Sequence, residues 1–199
     1  MAFDEKSIGE IKKIIPKLIN ERIISKKEEH KKLKGFYIDL AEDSISSAQL
    51  LYKVSTSKEL QNTTGFPNIK GFLWTINASY YSMFYLASAL LSNKGIKIKS
   101  NIGIHKLTFN TFVYYFYLNN IIAKNYIEEF LEALEDSEEL LGKEEIIKKA
   151  EQKAKELVLH LDYEREKRKV FTYELEKSRI EIRAKTSLER ANNFFKEIM

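Results

Sequence analysis

Cysteine is absent from this chain, which excludes disulfide staples, thiolate nucleophiles and zinc–cysteine sites. Proline occurs twice and glycine seven times in 199 residues, so little of the backbone is obliged to turn. A β-sandwich needs a turn signal about every 8–12 residues, and this scarcity of breakers points to long helices instead. No run approaches the ~18 uncharged apolar residues that suggest a membrane-spanning helix, so no membrane association is expected. Asp4, Glu5 and Lys6 stand where a secretory leader needs apolar residues; with the lack of cysteine, this makes a cytoplasmic protein the expectation. The three histidines, His30, His105 and His160, are scattered without paired spacing, so no metal site and no cofactor is expected. A glycine-rich phosphate loop, a serine–histidine–acid set and a paired-aspartate nucleotidyltransferase motif are also missing from the sequence.

What is present is the ordinary balance of a soluble globular chain, 44% hydrophobic and 31% charged, neither disordered nor membranous. The net charge of +4 is too mild to mark a nucleic-acid binder by itself. Its distribution says more: residues 127–145 are densely acidic, and residues 165–190 are rich in lysine and arginine. Either segment is compatible with a solvated helix face.

Periodicity divides the chain into helices. Ser7 and Glu10 have capping-box spacing, and Ile11, Ile14, Ile15, Leu18, Ile19 and Ile23 follow at helical intervals. Pro16 predicts a kink or a new start there, and Gly35 a stop after the Lys26–Lys34 run. A second helix is expected over 36–54, with Leu40, Ala41, Ala48, Leu51 and Tyr52 inward, followed by a long loop over 55–67. The third, 69–93, is apolar nearly all round, which marks a central or interface helix. Helices over 103–118 and 123–140 follow. Gly142 then breaks the chain before a charged helix over 143–169 and a last one over 178–198, with Ile182, Leu188, Ala191, Phe194 and Phe195 inward. His30, in a lysine/glutamate run, reads as exposed, and His160 as structural.

The central helix, Ala78-Ser-Tyr-Tyr-Ser-Met-Phe-Tyr-Leu-Ala-Ser-Ala-Leu-Leu91, together with the following Lys94-Gly-Ile-Lys-Ile-Lys-Ser100, resembles the HEPN superfamily, and in particular its small prokaryotic members. Ala41 through Ala48 to Leu51 resembles the family's preceding helix. Arg168-Lys-Val-Phe-Thr-Tyr173 resembles its late arginine-to-tyrosine element, and Ala184, Leu188, Ala191 and Phe194 its closing helix. The likeness covers about residues 36–198. It implies an all-α, HEPN-like antiparallel bundle of four to five core helices over 36–199, with residues 1–35 as an additional N-terminal helical extension.

The resemblance also implies a function: a toxin-antitoxin or defence protein acting on RNA as a homodimer, beside a minimal nucleotidyltransferase antitoxin. Ribonucleases of that family pair an arginine with a histidine a few residues later and need no metal. Arginine stabilises charge on the scissile phosphate, and histidine exchanges protons near neutral pH. Here no histidine follows Arg165 or Arg168, and Tyr173 stands near its place; a phenol of ordinary pKa about 10 is a poorer proton shuttle. The serine–histidine step of some relatives reads Ser100-Asn101. Arg168 and Tyr173 are therefore the catalytic candidates of a degenerate, metal-independent endoribonuclease, with Tyr173 also the residue a partner would modify. Arg165, Lys169, His105, Ser100 and Asn101 are the candidate RNA- or nucleotide-binding residues, with Arg179 and Arg183 as possible additions. The alternative expectation is a non-catalytic nucleotide- or RNA-binding or scaffold module for the nucleotidyltransferase.

Overall fold

The computed structural model describes residues 3–100, 103–139 and 162–199, with backbone alone for 162–178. Seven α-helices, one two-stranded ribbon and two short irregular helical turns make up these residues: α1 (Glu5–Asn20), β1 (Ile24–Lys26), a 3-10 turn (Glu28–Lys32), α2 (Leu33–Thr56), α3 (Lys58–Thr63), α4 (Phe72–Asn93), β2 (Ile96–Ile98), α5 (Ile104–Phe112) continued by a π-turn (Val113–Tyr117), α6 (124–139) and α7 (Asp162–Ile198). The architecture is an α-helical bundle, as the scarcity of proline and glycine predicts.

α4 is the central element because its sequence is apolar on most sides and small where neighbours must approach. Fourteen of its 22 residues are buried, including Ser79, Ser82, Ala87, Ser88 and Ala89. α2 brings Ala41, Ile45 and Ala48 to it at helical spacing, and α7 brings Ala184, Ser187 and Ala191. Small side chains on facing helices shorten the interaxial distance and raise the number of dispersion contacts. α2 and α4 run antiparallel, since Tyr37 meets Tyr85 at one end and Tyr52 meets Phe72 at the other. α6 and α7 are also antiparallel, and ion pairs fix their register. Asp136 of α6 accepts from Arg183 at 2.6 Å and from Arg190 at 3.0 Å, while Glu139 joins Arg183 and Glu132 joins Arg190.

Aromatic residues form much of the core. Phe112, Phe130 and Phe194 are fully buried. Phe3, Ile11, Ile15 and Ile24 belong to the same apolar cluster, so the N-terminal helix packs into the core that α4, α5 and α6 build.

Several details differ from the sequence reading. The capping box lies one turn earlier: Asp4 Oδ1 accepts from Ser7 N at 2.8 Å, and Ser7 Oγ accepts from Asp4 N at 3.0 Å. Pro16 does not end α1. It sits on the exposed side, while Ile11 and Ile15 hold the helix against the core. Gly35 lies inside α2, and the charged run before it folds as strand and 3-10 turn because Lys26 pairs with Ile96. The expected 55–67 loop contains α3, capped by Ser57. The buried Gln61 side chain fastens it by donating to the carbonyls of Val54 and Ser55 at 3.0 and 3.1 Å. Ile182 points to solvent, 65% exposed, because two residues along a helix from the buried Ala184 is about 200° of turn. Trp74, on the apolar central helix, is likewise 62% exposed. α7 continues through residues 170–177, where no glycine or proline interrupts it. The expected helix over 143–161, Gly142 and His160 lie outside the described residues.

His30 is buried rather than exposed, and its Nε2 lies 3.1 Å from Ser25 Oγ. Burial pushes its pKa below the usual value; Glu29 opposes the shift, and Lys97, Lys27 and Lys99 add to it. At pH well above about 6.5 the ring is neutral folded or unfolded, and contributes no pH dependence. Below that value the unfolded chain takes up the proton first. Stability should therefore fall as pH drops from about 6.5 through the lower folded pKa. Thermal melts between pH 7.5 and 5 should show this slope, and it should flatten in His30→Gln; an unchanged slope in the variant would assign the acid sensitivity elsewhere.

Candidate functional site

β2 and the start of α5 pack against α4, and a groove of ≈ 410 Å³ opens between them and Tyr37 of α2. The ribbon exists because Ile24, Ser25 and Lys26 pair antiparallel with Ile98, Lys97 and Ile96. It buries Ile24 and Ile96 and leaves Lys97 exposed. Gly95, at φ +73, makes the turn from α4 into β2. Gly103, at φ +64, then turns the chain into α5 and places His105 one residue into that helix. One wall of the groove is Tyr37, Tyr81, Phe84, Tyr85 and Ser92, and the facing wall is Lys97, Ser100, Ile104 and His105.

His105 is the polar centre. Its Nδ1 lies 2.8 Å from Tyr80 Oη, and its ring sits 4.8 Å from Phe84 and 5.6 Å from Tyr81, centroid to centroid. Burial lowers its pKa while the Glu138 carboxylate partly restores it. Burial, then the neighbouring Tyr81 and Glu138, push the Tyr80 phenol far above its ordinary range. Both groups are thus neutral at pH 7. When Tyr80 donates to Nδ1 the imidazole keeps its proton on Nε2, and the reverse tautomer leaves Nε2 as an acceptor. Tyr37 and Tyr85 stack 6.4 Å apart and 21° from parallel, and burial raises the pKa of both phenols. The arrangement offers flat rings for stacking, a cation for an anionic group and a neutral histidine able to hold or pass a proton.

The predicted site residues are distributed unevenly. His105 and Ser100 both line this groove. Asn101 lies outside the described residues. Arg165, Arg168, Lys169 and Tyr173 all fall in the N-terminal half of α7, where the description covers the backbone alone. Residues 165, 168, 169 and 173 recur at intervals that place them near one face of that helix. Arg183 is not a free phosphate contact: Asp136 and Glu139 hold it. Among the described residues no cluster of three or more histidine, aspartate or glutamate residues could hold a metal ion, and no helix is long and apolar enough to cross a membrane.

Nothing in the sequence marks Tyr80, Tyr37 or Lys97 as site residues. Tyr80 and Tyr81 carry no signal there beyond helix-core spacing, and their pairing with His105 depends on the turns at Gly95 and Gly103. No family model, curated protein or solved structure matches the chain.

Proposed function

We propose that the protein is a HEPN-like RNA- or nucleotide-binding protein of toxin-antitoxin or defence type, acting as a homodimer beside a minimal nucleotidyltransferase partner. The observation that carries the binding reading is the His105 groove. It combines stacking surfaces at Tyr37, Tyr81 and Tyr85 with Lys97 and a neutral histidine. Base stacking on aromatic rings and lysine contacts to phosphate are the two sequence-tolerant terms of single-strand recognition. The HEPN assignment and the partner rest on the motif resemblance of α4, β2 and α7.

Fluorescence anisotropy with a labelled single-stranded RNA tests this directly. Affinity should fall with rising salt. Lys97→Glu should weaken binding about tenfold and reduce the salt slope by about one, while Tyr85→Ala should weaken binding with the slope unchanged. No binding at low salt would defeat the reading and leave a scaffold role.

A second reading, endoribonuclease, is favoured by the His105–Tyr80 pair, which supplies the proton-exchanging histidine that the Arg168–Tyr173 element lacks. Ala184 packs on Phe72 and Ile76 and Arg168 lies about 24 Å beyond it along α7, so in this version Arg168 of one protomer stabilises the phosphate and His105 of the other moves the proton. Incubation with total RNA should then give cleavage by the wild type, lost in both Arg168→Ala and His105→Ala, and insensitive to a chelator.

A further inference from the structure

On the other side of α5 from the groove, a second hollow of ≈ 300 Å³ opens between α1 and α6. Its walls are two helical faces. Ser7, Glu10, Ile11 and Ile14 stand at i, i+3, i+4 and i+7 on α1, and Leu131, Leu134, Glu135 and Glu138 repeat that spacing on α6. Phe3 and Phe109 complete the apolar floor. Each face extends about 10 Å along its helix at 1.5 Å per residue, which is two helical turns. Ile14 is 42% exposed at the lip, where a soluble surface would gain by a polar residue.

The geometry points to this hollow as the docking site of a basic amphipathic helix from a partner protein. Ridges at i, i+3, i+4 and i+7 on two walls form a trough that accepts a third helix by the same spacing. Carboxylates stand on both lips, Glu10 on α1 and Glu138 on α6, against one lysine, Lys106. A helix with apolar anchors and flanking lysines or arginines therefore matches both the floor and the rim. A second copy of this chain does not, since an isologous contact would set this acidic rim against itself. Nucleic acid does not, because its phosphates would meet the same carboxylates.

The test uses the full chain and two short synthetic helices with leucines at i, i+3, i+4 and i+7, one flanked by lysines and the other by glutamates. The lysine peptide should bind, more weakly as salt rises, and the glutamate peptide should not. Ile14→Asp changes an exposed side chain, and a thermal melt checks that it remains folded. It should weaken the lysine peptide by at least about tenfold. Glu10→Lys and Glu138→Lys should weaken it and flatten the salt dependence. RNA affinity, read on the opposite side of α5, should be unchanged in Ile14→Asp, which separates this site from the groove. Equal binding of the two peptides, no binding of the lysine peptide, or undiminished binding to Ile14→Asp would overturn the proposal. Sedimentation showing a dimer that Ile14→Asp dissociates would also overturn it, by making the occupant a second copy.

Discussion

Phe130→Ala is expected to be the most damaging single truncation, costing about 3–5 kcal/mol of folding stability and lowering Tm by roughly 10 °C. Phe130 is fully buried and joins four rings: Phe109 and Phe194 at 5.5 Å, Phe112 at 6.0 Å and Tyr80 at 6.3 Å. Those rings come from α4, α5 and α7, so the cavity left by alanine opens at the meeting point of four helices. Little can collapse into it, because each wall is held by its own helix. Urea titration measures the loss; a cost below about 1 kcal/mol would mean that this junction is not packed as described. Phe130→Leu conserves more volume and should cost less. Since Phe130 packs on Tyr80, it should still loosen the wall behind His105. The His105 pKa, followed by NMR, should then rise toward its ordinary value as burial is relieved.

Gly95→Ala should have the second-largest effect, about 2 kcal/mol or more. Two penalties add: a left-handed conformation costs an L-residue about 1–2 kcal/mol, and a Cβ at Gly95 would lie 2.7 Å from the backbone carbonyl oxygen of Lys27. Backbone cannot rotate away as a side chain can. Gly65 supplies the internal control, with φ +78 and nothing within 4 Å of its Cβ direction. Gly65→Ala should therefore cost only the conformational share. Equal losses at the two positions, measured by chemical denaturation, would remove the close approach from the account. Because Lys27 N donates to Gly95 O at 2.8 Å, displacement at Gly95 also shifts Lys97 and the groove.

Helix content was legible in this sequence because its signals are local. Proline and glycine are sparse, and the apolar spacing of α2, α4 and α6 repeats over many turns. The errors fall where longer-range contacts decide. Lys26 reads as part of a charged helix until Ile96 is there to pair with it, and His30 reads as exposed until the ribbon covers it. Ser7 reads as the cap, yet Asp4 takes that place and Ser7 returns the second bond. Of the candidate site, His105 and Ser100 were legible, but Tyr80 and Tyr37 were not. A tyrosine on an apolar helix has the same spacing whether it fills a core or lines a groove. Its chemistry here comes from a histidine 25 positions later in the chain, brought near by two left-handed glycines.

The β1–β2 ribbon also has a kinetic consequence. It joins Ile24 to Ile98, about seventy residues apart, whereas the α2–α4 pair closes through a far shorter connection. Contacts that span so much chain are reached late, because the loop entropy must be spent before the pairing gives anything back. The antiparallel pair of α2 and α4 is the natural early structure, and the ribbon, with α1 docked behind it, the late one. On the reverse path the ribbon and α1 are the first to open, and they carry away β2, one side of the His105 groove. Global unfolding is therefore not needed to take this site apart: the end of the fold that closes last is the end that holds it.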